Sequence, residues 1–578
     1  MKQSFLWKLL AAYSSLLVLC GAGYALWDRY QLDGDAVSFM DISDAIVHKN
    51  WSVVANAYWN PGYAFALAAG QIVAHPSRWN ELQVFYWVNF VIFIFCVAAT
   101  IYFALSLAHL REQLTPDVNY ALSPAVVVFA ALSLMFFSFQ RELSIGKVRS
   151  DALMYLFLFL AASLLMRIQA TRKFIYFPLL GCALGLAYLT KSFAVLPSAL
   201  LMLAIFIFGL RRKGRDRTHI LVGTVVCAII FVALAGPYIH AISIQRGRIT
   251  IGDSARINYA YYVDGNTDWW AWASGNVNHA RDDFKHPEQL LLSNPQTYSF
   301  ARHMNGTYPL WFDPSYWFDT VYPQVYLKGH IRQAAQSGKM FIIFLFDHPE
   351  AFLLLFVLLL AGAQFPRARV TWTPFLPVML WGLLMIGIYF PLAIEERYIT
   401  FSFLFVVIPL LAALVRPADQ ALLRDISTAL VLLLACVSLF SGIRDEFEQR
   451  RMDKTSFFPF HHLSTDIYSA AQGLTSHGIH PGDEIACMGA LGCHLDIYWE
   501  RLARVQVVDE IIIPRGSSHS DNPAVYWQSL QNVPEVVDVL RRDGAAAIVS
   551  EFPAGTVAPA GWQNLNGSRF YALFLTGR

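Results

Sequence analysis

The sequence predicts an α-helical polytopic membrane protein of about eleven transmembrane helices, followed by a small external α/β domain at its C-terminus. Three observations carry that prediction. Of 578 residues, 56% are hydrophobic and only 15% are charged, which is too apolar for an ordinary globular chain. Apolar runs of about 18 residues or more recur up to residue 442, each long enough to cross roughly 30 Å of hydrocarbon. Beyond them, helix-like and strand-like stretches alternate to the end of the chain. The net charge of +2 gives no basic surface, so a nucleic-acid partner is not expected.

The first run, Leu9–Trp27, follows Lys2 and Lys8. It is longer than a signal-peptide core and lacks a small-x-small cleavage site, so it reads as a retained anchor. Cys20 before Gly21 faintly suggests a lipoprotein site, but Val18 and Leu19 are too large for one. Further apolar segments lie near 83–108, 119–139, 150–166, 174–190, 192–209, 219–242, 349–365, 372–391, 397–415 and 421–442. Positive charge gathers in four of the short loops: Arg167, Arg172 and Lys173; RRKGRDR at 211–217; Arg367 and Arg369; Arg416 and Arg424. The positive-inside rule puts these loops and the N-terminus in the cytoplasm. Residues 28–82, 243–348 and 443–578 are then external. One outward loop, RELSIGKVRSD at 141–151, breaks the rule with Arg141, Lys147 and Arg149.

The chain thus divides into a membrane domain, 1–442, and an external α/β domain, 443–578. The long loop 243–348 is rich in Trp and Tyr, too aromatic for disorder, and reads as packed on the outer mouth of the bundle. In the tail, STDIYSAAQGLTSHGI, HLDIYWERLAR and PEVVDVLRRDG read as helices. DEIACMG, VQVVDEIII and AAAIVSE read as strands. MGALGC (488–493) lacks the glycine spacing of a dinucleotide loop and reads as a plain turn. Five cysteines, Cys20, Cys96, Cys182, Cys227 and Cys436, fall in predicted spans and read as small apolar residues. Cys487 and Cys493 fall together outside the membrane, where thiols oxidise, and are expected to form a disulfide.

The first external loop concentrates carboxylates: Asp33, Asp35, Asp41 and Asp44. Acidic groups at a membrane boundary are costly and call for a reason. Asp33 and Asp35 precede a short helix beginning near Val37, so helix capping is one reading and catalysis the other. Asp41 and Asp44, three apart on that helix, read as a solvated face. Asp33-Gly34-Asp35 resembles an Asp-x-Asp site for Mg²⁺ or Mn²⁺. That leaves a divalent cation open, but two carboxylates are a thin ligand set and no metal or cofactor is assigned. His48 and His75 read as isolated polar residues.

Four stretches together are similar to the GT-C superfamily, the integral-membrane glycosyltransferases that use polyprenyl-phosphate sugars. They are DGDAVSF (33–39), the aromatic-Pro turn YWNPGY (58–63), GLAYLTKSFAVLP (185–197) and EERY (395–398). The likeness covers roughly residues 1–440 and is nearest to bacterial relatives of protein mannosyltransferases and aminoarabinose transferases. The chain departs from the mannosyltransferases in carrying Asp-Ala at 35–36 where they carry Asp-Glu. It also lacks the WWDYG motif of oligosaccharyltransferases, since DWWAW at 268–272 has a different order.

The resemblance implies a GT-C-like bundle in a bacterial inner membrane and transfer of a sugar from a polyprenyl-phosphate donor to an external glycan, lipid or protein. Such a reaction needs a base for the acceptor hydroxyl and cations for the departing phosphate. Asp35 is the expected base, with Asp33 beside it and inversion the expected outcome. Lys191, Arg397, Arg149 and Arg141 are candidates for phosphate, and Trp59 and Trp269 for sugar or prenyl contacts. Each has a plainer reading: snorkelling for Lys191, ion pairing with Glu395 or Glu396 for Arg397 and with Glu142 or Asp151 for the outward cations, interfacial anchoring for the tryptophans. The rival functions are a flippase for a lipid-linked sugar and an envelope assembly protein acting through its tail. A flippase predicts repeated halves and broken helices with midplane polar groups, and the sequence has neither.

Overall fold

The computed structural model describes residues 3–27, 32, 34–141, 145–264, 285–286, 288–300, 305–347, 372–415, 421–452, 465–493, 497–514 and 522–575. The protein is a multi-pass membrane protein. Among the described residues, six helices are long and apolar enough to cross a bilayer: Gln3–Leu26, Glu81–Leu114, Asp151–Thr171, Ser192–Leu210, Gly214–Arg246 and Arg424–Arg444. Shorter apolar helices at Pro124–Gln140, Tyr176–Thr190 and Thr373–Tyr389 pack among them. Helices occupy ten of the eleven predicted segments; the other, 349–365, lies outside the described residues. The segment predicted from 119 starts its helix only at Pro124, because proline pre-sets the first helical turn. The residues before it form a bridge, with the Ala121 N–H donating to the Leu414 carbonyl at 2.8 Å.

The segment that follows the first span is not an open loop. It folds into Gly34–Val47, Trp51–Val54 and Gly62–Ala74. The first of these, the loop helix, buries Val37, Phe39, Met40 and Ile42 to within 4% exposure. That burial makes it part of the core and fixes where Asp35 points.

The tail elements form where their patterns place them, except that MGALGC (488–493), read as a turn, continues the strand that DEIACMG begins. β3 (Glu484–Cys493), β4 (Gln506–Ile512) and β5 (Ala547–Glu551) make the parallel centre of a sheet, with β3 between the other two. The amphipathic helix Val533–Asp543 stops at Gly544, whose φ of +113° suits a residue without a Cβ. Two further strands belong to the long loop: β1 (Gln289–Ser293) and β2 (Gln296–Ser299). β2 runs antiparallel to β4, pairing Thr297 with Ile511. With β6 (Gln563–Asn564) and β7 (Phe570–Phe574) on the far edge, the order is β1-β2-β4-β3-β5-β7-β6. The segment 243–348 and the tail therefore share one sheet, and together they cap one end of the bundle. Cys487, on β3, is disulfide-bonded; the side chain of Cys493 lies outside the described residues.

Candidate active site

Asp35 sits in the first turn of the loop helix, with 23% of its side chain exposed. Its Oδ1 accepts a hydrogen bond from the Trp311 indole N–H at 3.3 Å. Its Oδ2 lies 3.6 Å from an Arg397 guanidinium nitrogen. Gly34 makes the first contact possible: a Cβ there would stand 2.7 Å from Trp311 Nε1. The Trp311 segment is fastened on every side. Ser38 and Trp59 donate to the Trp311 carbonyl, Asn56 donates to the Phe312 carbonyl, and Arg246 pairs with Asp313 at 2.7 Å.

Arg397 follows Glu395, the extended residue that precedes the helix Glu396–Ala412. Its Nε meets the Glu395 carboxylate at 2.6 Å, and its second terminal nitrogen donates to the Tyr398 hydroxyl at 3.0 Å. The Tyr398 ring stands between two cations, 4.9 Å from the Arg397 guanidinium carbon and 4.6 Å from Lys191 Nζ. Tyr389 stacks on that ring and Phe193 on Tyr389, which holds the platform still. Lys191 ends the helix Tyr176–Thr190 in an extended conformation, φ −153° and ψ 128°, and its ammonium pairs with Asp151 at 2.6 Å. The groups thus line up as Asp35, Arg397, Tyr398, Lys191 and Asp151, negative at both ends with two cations between.

Two phenols flank the row. Burial, and then the negative charge of Glu395, pushes the Tyr262 hydroxyl up to about 12. Burial, and then Asp35, likewise raises Tyr58, whose hydroxyl donates to Asn258. Both remain neutral O–H groups near neutral pH. The cluster therefore holds the carboxylates of Asp35, Glu395 and Asp151, two cations and neutral donors, and it is only partly closed: Lys191 is 24% exposed.

Asp35, Lys191 and Arg397 come together as the sequence leads one to expect, and Arg149 lies close enough to Asp151 to act on its charge. Lys191 does not snorkel; its ammonium pairs inward. Trp59 is buried with its N–H engaged, so it shapes the wall from behind. Asp33, Trp269 and the side chain of Arg141 lie outside the described residues. Among the described residues no three His, Cys, Asp or Glu gather as metal ligands would. A guanidinium beside Asp35 also makes a poor neighbour for the divalent cation that Asp-x-Asp suggested, and no step is routed through one.

The reading of Asp41 and Asp44 as a solvated face is corrected. Arg501, 1% exposed, reaches Asp41 at 2.6 Å, Asp44 at 2.9 Å and Glu81 at 2.9 Å. Arg504 adds contacts to Asp44 and Glu81 at 2.8 and 3.0 Å. Burial would raise Asp44, but Arg501 and Arg504 together hold it below the usual carboxylate range. Helical spacing alone missed this because the cations lie more than 400 residues along the chain. ERLAR, an amphipathic helix end with two arginines three apart, was the available signal.

Residues 79–235 match the family model for dolichyl-phosphate-mannose-protein mannosyltransferase. A sequence search of curated proteins finds no match. Among solved structures, the chain is similar to ArnT from Cupriavidus metallidurans bound to undecaprenyl phosphate, at 12% identity and a TM-score of 0.50, covering 100% of both chains. It is also similar to the archaeal oligosaccharyltransferase AglB from Archaeoglobus fulgidus, in complex with an inhibitory peptide and a dolichol-phosphate. There the identity is 11% and the TM-score 0.50, with 94% of this chain and 69% of that one covered. At these identities the likeness to ArnT and AglB is one of fold, and the family model matches residues 79–235 alone.

Proposed function

We propose that the protein transfers a sugar from a polyprenyl-phosphate carrier to a hydroxyl of an acceptor outside the cell, with inversion and with Asp35 as the base. It would work in a plasma membrane, a bacterial inner membrane on the family likeness, with the cap outside. The observation that carries this reading is the pairing of Asp35 with Arg397 in a partly exposed cluster that also holds Lys191.

In the proposed reaction the acceptor oxygen attacks the sugar's anomeric carbon while its proton passes to an Asp35 oxygen. The bond between that carbon and the phosphate oxygen breaks, and its electrons remain on the phosphate. Arg397 and Lys191 steady the charge that develops there, the guanidinium through a directed fork and the ammonium as a point charge. A single displacement inverts the anomeric centre. The relatives support the donor class: ArnT was solved with undecaprenyl phosphate and AglB with a dolichol-phosphate. Asp33 is proposed as a helper to Asp35.

The test is Asp35→Asn in cells lacking the chromosomal copy, with surface glycans read by mass spectrometry. Loss of a general base typically costs about 10²–10⁴ in rate, whereas a lost helix cap costs only about 1 kcal/mol of stability. The expected outcome is a folded, membrane-inserted protein with no detectable transfer. Near-normal glycans from Asp35→Asn would leave Asp35 a cap and remove the catalytic assignment.

A further inference from the structure

We infer that Arg501, a residue of the cap with no place in the reaction itself, positions the loop helix and through it Asp35. The inference rests on Asp35 being the base and goes beyond it by assigning the tail a part in transfer.

The geometry is specific. The loop helix carries Asp35 in its first turn, against Arg397, and further along Asp41 and Asp44, against Arg501. Arg501 grips the later two and ties them to Glu81, which opens the spanning helix Glu81–Leu114. One guanidinium thus fixes the loop helix against both the membrane bundle and the cap. Its planar fork has a defined direction, so it sets rotation as well as distance. Arg501 is 1% exposed, its helix Tyr498–Ala503 is buried throughout, and Arg78 reaches the Ala503 carbonyl from the membrane side.

A second contact carries the same hold to Asp35. Asp41 accepts from both the N–H and the hydroxyl of Thr307, at 2.7 and 2.9 Å. Thr307 opens the segment whose Trp311 donates to Asp35. Arg501, Asp41 and Thr307 are joined by direct contacts, Thr307 leads along the chain to Trp311, and Trp311 meets Asp35, with Ser38 of the loop helix bonding the Trp311 carbonyl. If Arg501 released Asp41, the loop helix would lose its tie to Glu81 and the cap helix, and any shift of Asp41 would pass through Thr307 to the segment that carries Trp311. A charge placed only to stabilise the junction would need neither the Thr307 contact nor the alignment with Asp35.

The test uses the full-length protein. Arg501→Met/Asp44→Asn removes one charge of each sign, so the cluster keeps its balance and the variant can fold. Undecaprenyl phosphate is the binding probe, and surface-glycan transfer per folded molecule is the activity readout. Expected are binding within twofold of wild type and transfer reduced at least tenfold. Arg501→Lys keeps the charge but not the fork, and should fold while losing several-fold in transfer. A merely structural role would lower the amount of folded protein and leave transfer per folded molecule intact; that result in either variant overturns the inference. A dead Asp35→Asn beside fully active Arg501 variants would remove this inference alone. Normal transfer by Asp35→Asn would remove the catalytic reading and this inference with it.

Discussion

Two arginines beside the loop helix show two uses of the same side chain. Arg501 is sealed, facing three carboxylates at 2.6 to 2.9 Å. Arg397 is 13% exposed, has one close carboxylate at 2.6 Å and holds Asp35 only loosely at 3.6 Å. Taking a guanidinium out of water is offset only where several hydrogen-bonded anions replace the water. Arg501 meets that condition with four hydrogen bonds to three carboxylates, and at 1% exposure it presents no face to a ligand. Arg397 keeps some solvent access and a longer contact, which on the proposed reading an incoming phosphate would replace. On the proposed reading, exposure rather than residue type separates the cation that binds from the cation that braces.

The largest effect that would sharpen this contrast comes from Arg397→Met. Removing a donor aimed at developing charge typically costs about 10²–10³ in rate. Transfer should fall by that much, and undecaprenyl phosphate should bind more weakly, while the thermal midpoint barely moves. Wild-type transfer by Arg397→Met would break the contrast, because Arg397 would then be a second brace.

A smaller effect concerns a carboxyl that the cap buries without an arginine. Asp509, on β4, is pushed up to about 8, first by burial and then by Asp543 beside it. Its folded-state value thus lies above the unfolded one. The favourable contribution is complete below the unfolded value near 4 and is lost as pH rises through 8, at no more than about 1.4 kcal/mol per pH unit. Asp509→Asn should therefore leave stability at pH 5 little changed and raise it at pH 8, by about 1–3 kcal/mol. Thermal unfolding of the purified protein at the two pH values reads this directly. A parallel fall for both proteins would place the proton elsewhere.

The bundle was legible because hydropathy reports burial in lipid directly, and the tail because its helices and strands keep local periods. Asp35, Lys191 and Arg397 were legible for a different reason: charged residues at the outer ends of apolar runs are scarce, so each invites a question. What the sequence could not reveal depends on contacts far apart along the chain. Asp41 and Asp44 have the spacing of a wet helix face, and it is Arg501 and Arg504, far along the chain, that pair them. The hairpin at 289–299 has too few residues to stand alone; it becomes a pair of strands by borrowing the edge of β4. Asp33-Gly34-Asp35 drew attention for its carboxylates, yet its glycine also carries information that spacing rules do not hold.

That glycine supports the last and smallest prediction. In Gly34→Ala the new methyl would sit 2.7 Å from Trp311 Nε1 and 2.8 Å from its Cδ1, closer than real carbons approach. The Trp311 backbone is held by Ser38 and Trp59, so the indole ring must turn, and its N–H leaves Asp35. Alanine also favours a helix over glycine by about 1 kcal/mol. Stability should therefore hold or rise slightly while transfer falls about tenfold, the equivalent of about 1.4 kcal/mol. Trp311→Phe, which removes the N–H and keeps most of the ring, should lose a similar amount. Because both changes break one contact, the double variant should be little worse than either single one. Full transfer by Gly34→Ala would mean that the indole is only a wall. If instead the losses multiply in the double variant, Gly34 and Trp311 act on Asp35 by separate routes.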